Sequence, residues 1–300
     1  MAITDNHFTE AIFDRCDLHT HSVFSDGTYT PTEIIAEAKR LGLIVALTDH
    51  NTAAGLPEFM EAAGKLGVIA VPGVEFSTEY NGKELHLLGL FVFPEHYAAV
   101  ERLVKEQHIL KEISNIELVE KLNQAGYLID YAKVKGRNPN GNANRAHVAA
   151  ELLEHGYVTS ITEAFKTILS EDGGLYVPPS RLQLTDVIKD LRRIGVIPIL
   201  AHPLQDLTEQ ELRELLPKAI EAGLLGIETM HSSYSADAIL LAESIAVEFG
   251  LMPSGGSDFH GSVKPDIFLG VGRGELCVPE NIYLQLKSKL LEITGVNNRI

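Results

Sequence analysis

Residues 16–50 read CDLHTHSVFSDGTYTPTEIIAEAKRLGLIVALTDH and contain one full repeat of the fold. Thr30 stands where a helix N-cap belongs, Pro31 takes the first helical position, and Glu33 completes a capping box. Gly42 is the residue that ends a helix in a left-handed conformation. LIVAL (43–47) follows at once, an apolar run of the kind buried on both faces of a parallel sheet. It ends in TDH, which puts His50 at the carboxyl end of the strand. The stretch opens inside a weaker strand, AIFDRCDLH (11–19), whose end carries His19 and His21.

The same grammar recurs outward from there. GVIAV (67–71), LHLLGLFVF (85–93), VIPILA (196–201), LLGIETM (224–230) and GLMPSGG (250–256) read as buried strands. LTDVIKDLRRIG, from Thr185 to Gly195, and SADAILLAESIAVEFG, from Ser235 to Gly250, read as helices. Such alternation, in units of about 30 residues, is a βα repeat. The strand ends carry histidines or acids: His19 and His21, His50, Glu75, His202, Glu228 or His231, and Asp258 with His260. His86 lies instead near the start of its strand, a short loop after Glu75. A loop that short makes a hairpin, and the reversed strand brings His86 back to the same rim. A barrel-like α/β fold with its site on that rim is the expectation.

The alternation stops between about 94 and 185. A long helical stretch, AAVERLVKEQHILKEISNIELVEKLNQAG (98–126), precedes the polar loop KGRNPNGNAN (135–144) and two helices starting near Asn144 and Ser160. The expected division is a discontinuous barrel over 12–93 and 186–300, with an inserted helical cap subdomain over 94–185.

Composition narrows the function. The chain has 300 residues, 45% hydrophobic and 22% charged, which is ample for a buried core. Trp is absent and aromatics are 7%, so no aromatic nucleic-acid platform is expected. A net charge of -16 and a pI near 5.2 repel phosphates, so an anionic ligand must be received by a local basic groove or by bound cations. Two cysteines, Cys16 and Cys277, with no Cys-x-x-Cys, exclude a disulfide framework. The first 30 residues show no apolar core flanked by basic residues, and no apolar run approaches the ~18 residues of a membrane helix. A soluble, cytoplasmic, reduced protein is expected, with no obligate protein partner.

Nine residues make a candidate metal constellation: His19, His21, Asp26, His50, Glu75, His86, His202, Asp258 and His260. At a strand end, His19 and His21, two apart, point to one face. Imidazole and carboxylate without thiolate suit Mn, Fe or Zn in a catalytic setting. Nine donors exceed the four to six that one ion takes, so two or three divalent ions are expected. Glu228 and His231 are left open between ligation and hydrogen bonding, and Asp17 and Asp49 between orienting imidazoles and structural roles. His7, His96, His108 and His155 are assigned to the surface or to helix faces.

DLHTHSVFSDG, TDHN, GVEFS, HLLG, AHP and GSDFHG, in that order, resemble the motifs of the PHP (polymerase and histidinol phosphatase) phosphoesterase family. The resemblance covers roughly residues 14–93 and 186–275. It implies a distorted seven-stranded (β/α)7 barrel around a trinuclear metal centre. His19, His21, Glu75 and Asp258 look like ligands of one ion. Glu75 looks like a bridge to a second ion, completed by His86 and His202, and Asp26, His50 and His260 look like the ligands of a third. The segment NRAHVAAELLEHGYVTSITEAFKTILSEDGGLYVP is similar to the cap of stand-alone members that act on nucleoside 3′,5′-bisphosphates, some of which also trim RNA from its 5′ end.

The residues themselves support an anion at that cap. Arg145 and His147 fall in the first turn after the N-cap Asn144, where a cation costs roughly 0.3–1 kcal/mol unless an anion joins it. Lys166 and Arg181 are further candidate substrate contacts, with a solvated helix face and a loop anchor beside VPPS as their plain alternatives. The expected activity is hydrolysis of a phosphate monoester of a small nucleotide, a nucleoside 3′,5′-bisphosphate giving the 5′-monophosphate. Attack is expected from a metal-activated hydroxide held at Glu75, His86, His202 and their neighbours. The alternatives are a histidinol-phosphate or other sugar-phosphate phosphatase, a 5′–3′ exonuclease on short RNA or DNA, and a metal-holding accessory module.

Overall fold

A computed structural model describes residues 14–138, 143–170, 175–176 and 181–295. His7, the start of AIFDRCDLH, part of KGRNPNGNAN and the VPPS segment lie outside the described residues.

The strands are β1 (Arg15–Asp17), β2 (Leu43–Leu47), β3 (Ala70–Tyr80), β4 (Lys83–Leu90), β5 (Leu182–Gln183), β6 (Ile197–Leu200), β7 (Gly226–His231), β8 (Met252–Gly256) and β9 (Val278–Pro279). They form one nine-stranded sheet in the order β8-β7-β6-β4-β3-β2-β1-β9, with β5 beside β3. Setting aside the two-residue strands β5 and β9, the other seven of the nine make a barrel. β4 runs antiparallel to both neighbours, β3 and β6, while β1–β2–β3 and β6–β7–β8 are parallel. The wall closes where the Leu18 amide donates to Gly255 O at 3.0 Å, the Asp258 amide donates to His19 O at 2.9 Å, and Thr20 bridges Phe259.

The two faces of β2 show how period-two alternation builds two layers. Leu43, Val45 and Leu47 pack outward against helices α1 (Pro31–Leu41) and α2 (Leu56–Leu66). Helices α7 (Leu184–Arg193), α9 (Glu209–Ala222) and α10 (Ala236–Phe249) complete that outer layer. Ile44 and Ala46 face inward with Cys16, Leu18, Val71, Leu88 and Ile199, and α11 (Glu280–Thr294) adds Ile282, Tyr283, Leu286 and Leu290 to this inner core.

The punctuation of α1 is as expected: the Thr30 amide donates to Glu33 at 2.7 Å, the Glu33 amide donates to Thr30 Oγ1 at 3.2 Å, and Gly42 sits at φ +63°. α7 departs from expectation. It starts at Leu184 with Gln183 at the N-cap, so Thr185 lies inside the helix. The hairpin at His86 is present, but β3 runs on to Tyr80 and turns at Asn81–Gly82, whose φ values of +53° and +80° suit a two-residue hairpin turn. Glu75 therefore lies within a long strand, not at its end.

Between β4 and β5 the chain forms α3 (Tyr97–Gln124), α4 (Tyr131–Gly136), α5 (Arg145–Glu154) and α6 (Ile161–Lys166), and the short α8 (Pro203–Asp206) follows β6. Val100 and Val104 at the start of α3 pack on the barrel, while Leu118, Leu122, Val134, Val148 and Leu152 share a separate apolar cluster above it. Among the described residues no helix is long and apolar enough to cross a membrane.

Candidate metal centre

All nine candidate ligands lie in one connected group on the rim. Three donor sets can be traced through Glu75. In the first, His19 Nε2 and His21 Nε2 lie 3.1 Å apart, and each is within 3.2 Å of Glu75 Oε2. Asp258 Oδ1 joins them, 3.2 Å from His21 Nε2 and 3.6 Å from His19 Nε2. In the second, the other oxygen, Glu75 Oε1, is 2.9 Å from His86 Nδ1 and 3.3 Å from His202 Nε2. In the third, Asp26 Oδ1 is 3.2 Å from His260 Nε2, and Asp26 Oδ2 is 3.9 Å from His50 Nε2. His50 stands between the second and third sets, its Nδ1 being 3.1 Å from Glu75 Oε2.

The backbone that presents these groups is tight. His202 and Asp258 have φ of +27° and +56°, which a non-glycine residue adopts only at a cost of about 1–3 kcal/mol. Gly256 is required beside them, because a Cβ there would meet His19 Cβ at 2.4 Å and His19 N at 2.5 Å.

Burial and mutual charge set the protonation of the group. Burial penalises the charge on His21, but Asp258 and Glu75 outweigh it and push its pKa up to about 9. Burial likewise opposes the charge on His19 and His86, and Glu75 with the nearby Glu228 or Glu84 holds both well above the usual imidazole value. His50 goes the other way: burial, helped by His21 and His86, takes it down to about 3, so it is neutral at physiological pH. Burial would raise Glu75, Asp26 and Asp258, yet the surrounding imidazoles, and Lys264 beside Asp258, hold all three well below the carboxylate range.

The donors fit metal ions on an observation independent of the motifs. Asp26 Oδ1, His50 Nδ1, Glu75 Oε2 and His86 Nδ1 are buried without a hydrogen-bond partner. Buried polar atoms are left in that condition rarely, and cations held by the donor groups around them would satisfy them. Compact groups of donor atoms form around His19, His21 and Glu75, around His50, Glu75 and His86, and around His21, Asp26, His50 and His260.

Asp17 and Asp49 do not touch imidazoles directly. Asp17 accepts from the amides of Ser257 and Gly270, both at 2.8 Å, and from Ser257 Oγ, tying β1 to the chain after β8. Asp49 accepts from the Ser22 amide at 2.7 Å and from Ser25 Oγ at 2.6 Å, holding the loop that carries Asp26.

A cleft of about 310 Å³ opens over this centre, with Asp26, His50, His86 and His202 in its wall. Of the four residues expected at the substrate, Arg145 and Arg181 line it, whereas His147 and Lys166 do not. His147 is engaged in its own helix cap, accepting from the Asn144 amide at 3.0 Å, and Lys166 is exposed at the end of α6. The Arg145 guanidinium lies 4.2 Å from the Tyr176 ring and 5.3 Å from Phe165. Arg181 Nη2 reaches Glu84 Oε2 at 2.5 Å, and Glu84 Oε1 stands 3.6 Å from His86 Nε2.

Lys111 and His108 were missed, and both line the cleft. His108 is on a helix face as expected, but that face looks inward, its Nε2 being 2.6 Å from Asn51 O. Burial, helped by Arg181 and Arg145, lowers the Lys111 pKa against the pull of Asp26 and Glu84, all of which line the same cleft. The signal was available: Gln107, His108, Lys111, Ser114 and Asn115 form a polar stripe at helical spacing, and all five line the cleft.

Residues 17–175 match the PHP domain. The chain is 34% identical over 248 residues to a 5′-3′ exoribonuclease of Haemophilus influenzae, covering 82% of this chain and 90% of that one. It is 31% identical over 288 residues to a 3′,5′-nucleoside bisphosphate phosphatase of Chromobacterium violaceum, covering 92% of this chain and 97% of that one. Among solved structures it resembles a Bifidobacterium adolescentis protein proposed to be a metal-dependent phosphoesterase, with TM-score 0.82, 26% identity, and coverage of 96% and 99%.

Proposed function

The chain belongs to the PHP domain family and is a metal-dependent phosphoesterase, and from that premise we propose that it hydrolyses a nucleoside 3′,5′-bisphosphate to the nucleoside 5′-monophosphate. One observation carries the choice. The lining of the cleft supports two places for an anion: the His and carboxylate cluster once it holds ions, and the cations Lys111 and Arg145, with Arg181 beside them paired to Glu84. A substrate with two phosphates matches both. Histidinol phosphate, with one, leaves the second place unused.

His19, His21, Glu75 and Asp258 would hold one ion, Glu75, His86 and His202 a second, and Asp26, His50 and His260 a third. Imidazole and carboxylate donors without thiolate favour Mn, Fe or Zn. When bound, such ions supply Lewis acidity and a water of lowered pKa. The chain's own part is binding and orientation. Lys111 and Arg145 receive the phosphate that is not cleaved, through charge-assisted hydrogen bonds. Phe165 and Tyr176 offer the nucleoside an apolar wall and hold the Arg145 fork by cation–π contact. Arg181, through Glu84, links that end of the cleft to His86.

A second reading, 5′–3′ exonuclease action on short oligonucleotides, uses the same two places. The 5′-terminal phosphate would take the cation pocket and the next phosphodiester the metal centre, and similarity to an exoribonuclease favours it. The net charge of -16 weighs against long strands.

The test is a comparison of kcat/KM with Mn²⁺ for adenosine 3′,5′-bisphosphate, adenosine 3′-monophosphate, histidinol phosphate and a 5′-phosphorylated oligoribonucleotide. The bisphosphate should lead the two monophosphates by 10-fold or more. Equal turnover of adenosine 3′-monophosphate would remove the case for a second anion site, and a dominant oligonucleotide would select the exonuclease.

A further inference from the structure

We infer that Glu228 is a positioning residue that sets two of the proposed ion sites at once, by holding the ring of His19 and the backbone of His202. The inference rests on the metal-centre reading above.

Glu228 is fully buried in β7 and is not among the nine candidate ligands. The β7–β8 register shifts between Glu228 and Met230, an irregularity of the kind that re-aims a side chain. Glu228 Oε1 is 3.1 Å from His19 Nδ1. Glu228 Oε2 accepts from the backbone amide of His202 at 2.7 Å. One carboxylate on β7 thus reaches the ends of both β1 and β6.

Each contact has a consequence. An ionised carboxylate only accepts, so in the neutral form that a metal ligand must take, His19 would carry its proton on Nδ1 and its lone pair on Nε2, the nitrogen that faces His21, Glu75 and Asp258. At His202, φ +27° and ψ +48° place the residue where few non-glycine residues go. The bond from its amide to Glu228 helps hold that conformation, which points Nε2 at Glu75 Oε1, 3.3 Å away. A glutamine is nearly isosteric but has one accepting oxygen. It can serve His19 or the His202 amide, not both, because its NH2 group would face a second donor.

The group of His19, Glu228 and His231 is also compact enough to hold an ion itself. In that case His19 Nδ1 would be the ligating nitrogen and could carry no proton. The two assignments therefore differ in one observable.

The experiment uses Zn²⁺ and the full chain. Wild type and E228Q are stripped by chelation and dialysed, and zinc uptake is followed by equilibrium dialysis with elemental analysis, alongside circular dichroism. Folded E228Q should bind two ions roughly 10- to 100-fold more weakly, while the ion assigned to Asp26, His50 and His260 keeps its affinity. Undiminished uptake by folded E228Q, or an equal loss at every site, overturns the inference. A wild-type chain that takes up no ion overturns the metal-centre reading and this inference with it. Imidazole ¹⁵N spectra of zinc-loaded wild type need no variant. Protonated Nδ1 with ligating Nε2 at His19 supports the inference, and unprotonated Nδ1 overturns it.

Discussion

At the scale of single residues, the site divides between groups that meet ions and groups that meet the substrate. In the function proposed above, Lys111 and Arg145 belong to the second kind, and they come from different helices, α3 and α5. A hydrogen bond to a charged group is worth about 1.5–3 kcal/mol, so removing either cation should cost roughly 10- to 100-fold. For Arg145→Ala and Lys111→Met the loss should appear in kcat/KM for the bisphosphate and be far smaller for adenosine 3′-monophosphate. Equal losses on both substrates would mean that these cations act at the metal centre and not on a second phosphate. The sequence made half of this legible. Arg145 stood out because a cation after an N-cap is unfavourable alone, whereas Lys111 is an ordinary lysine in a long helix until the stripe from Gln107 to Asn115 is read as one face. Arg181 was legible as a candidate, but its ion pair with Glu84 depends on an approach between chain segments 97 residues apart.

At the scale of elements, the carboxyl ends of the strands present the site, and small devices hold those ends in register. The ends that carry His19, His50, His202 and Asp258 were legible because a His or acid recurs at the same phase of a βα unit, whereas Glu75 and His86 lie within the β3–β4 hairpin. The devices were not, because they act across the sheet. Asp17 is one of them. Its buried carboxylate accepts from the amides of Ser257 and Gly270 and from the Ser257 hydroxyl, on chain that is distant in sequence. A buried amide left without an acceptor costs about 1–3 kcal/mol. Asp17→Ala strips at least two of them, so it should destabilise the fold by about 2 kcal/mol or more, read as a lower urea midpoint. A midpoint within error of wild type would show that water reaches and satisfies those amides. Glu75 is the other lesson at this scale. The short spacing to His86 predicted the hairpin, but nothing in GVEFSTEYNG indicated that pairing with β4 would carry β3 on to Tyr80, since cross-strand partners decide where a strand ends.

At the scale of the whole molecule, a net charge of -16 and a rim of ionisable groups make stability depend on pH and ions together. The barrel could be anticipated from alternation and the gathering of imidazoles from the motifs, but their protonation could not, because it depends on mutual distance. His21 shows the consequence. With ions chelated, Asp258 and Glu75 hold its pKa near 9 against the effect of burial, above its unfolded value near 6.5. A raised folded-state pKa gives stabilisation that is complete below the unfolded value and is lost as the pH climbs through the folded one. Chelated protein should therefore lose on the order of 1–3 kcal/mol between about pH 6.5 and 9. His50, near pKa 3, is neutral throughout and adds nothing in this window. Ion uptake has the opposite slope. Ligating imidazoles must shed their protons, so binding releases protons and tightens as the pH rises. Thermal unfolding with and without Mn²⁺ should then show a gap in Tm that widens from about pH 6.5 to 8.5, with phosphoesterase activity absent in the chelated samples and restored by the ion. A constant gap, or full activity after exhaustive chelation, would mean that the imidazole cluster is not where the ions bind.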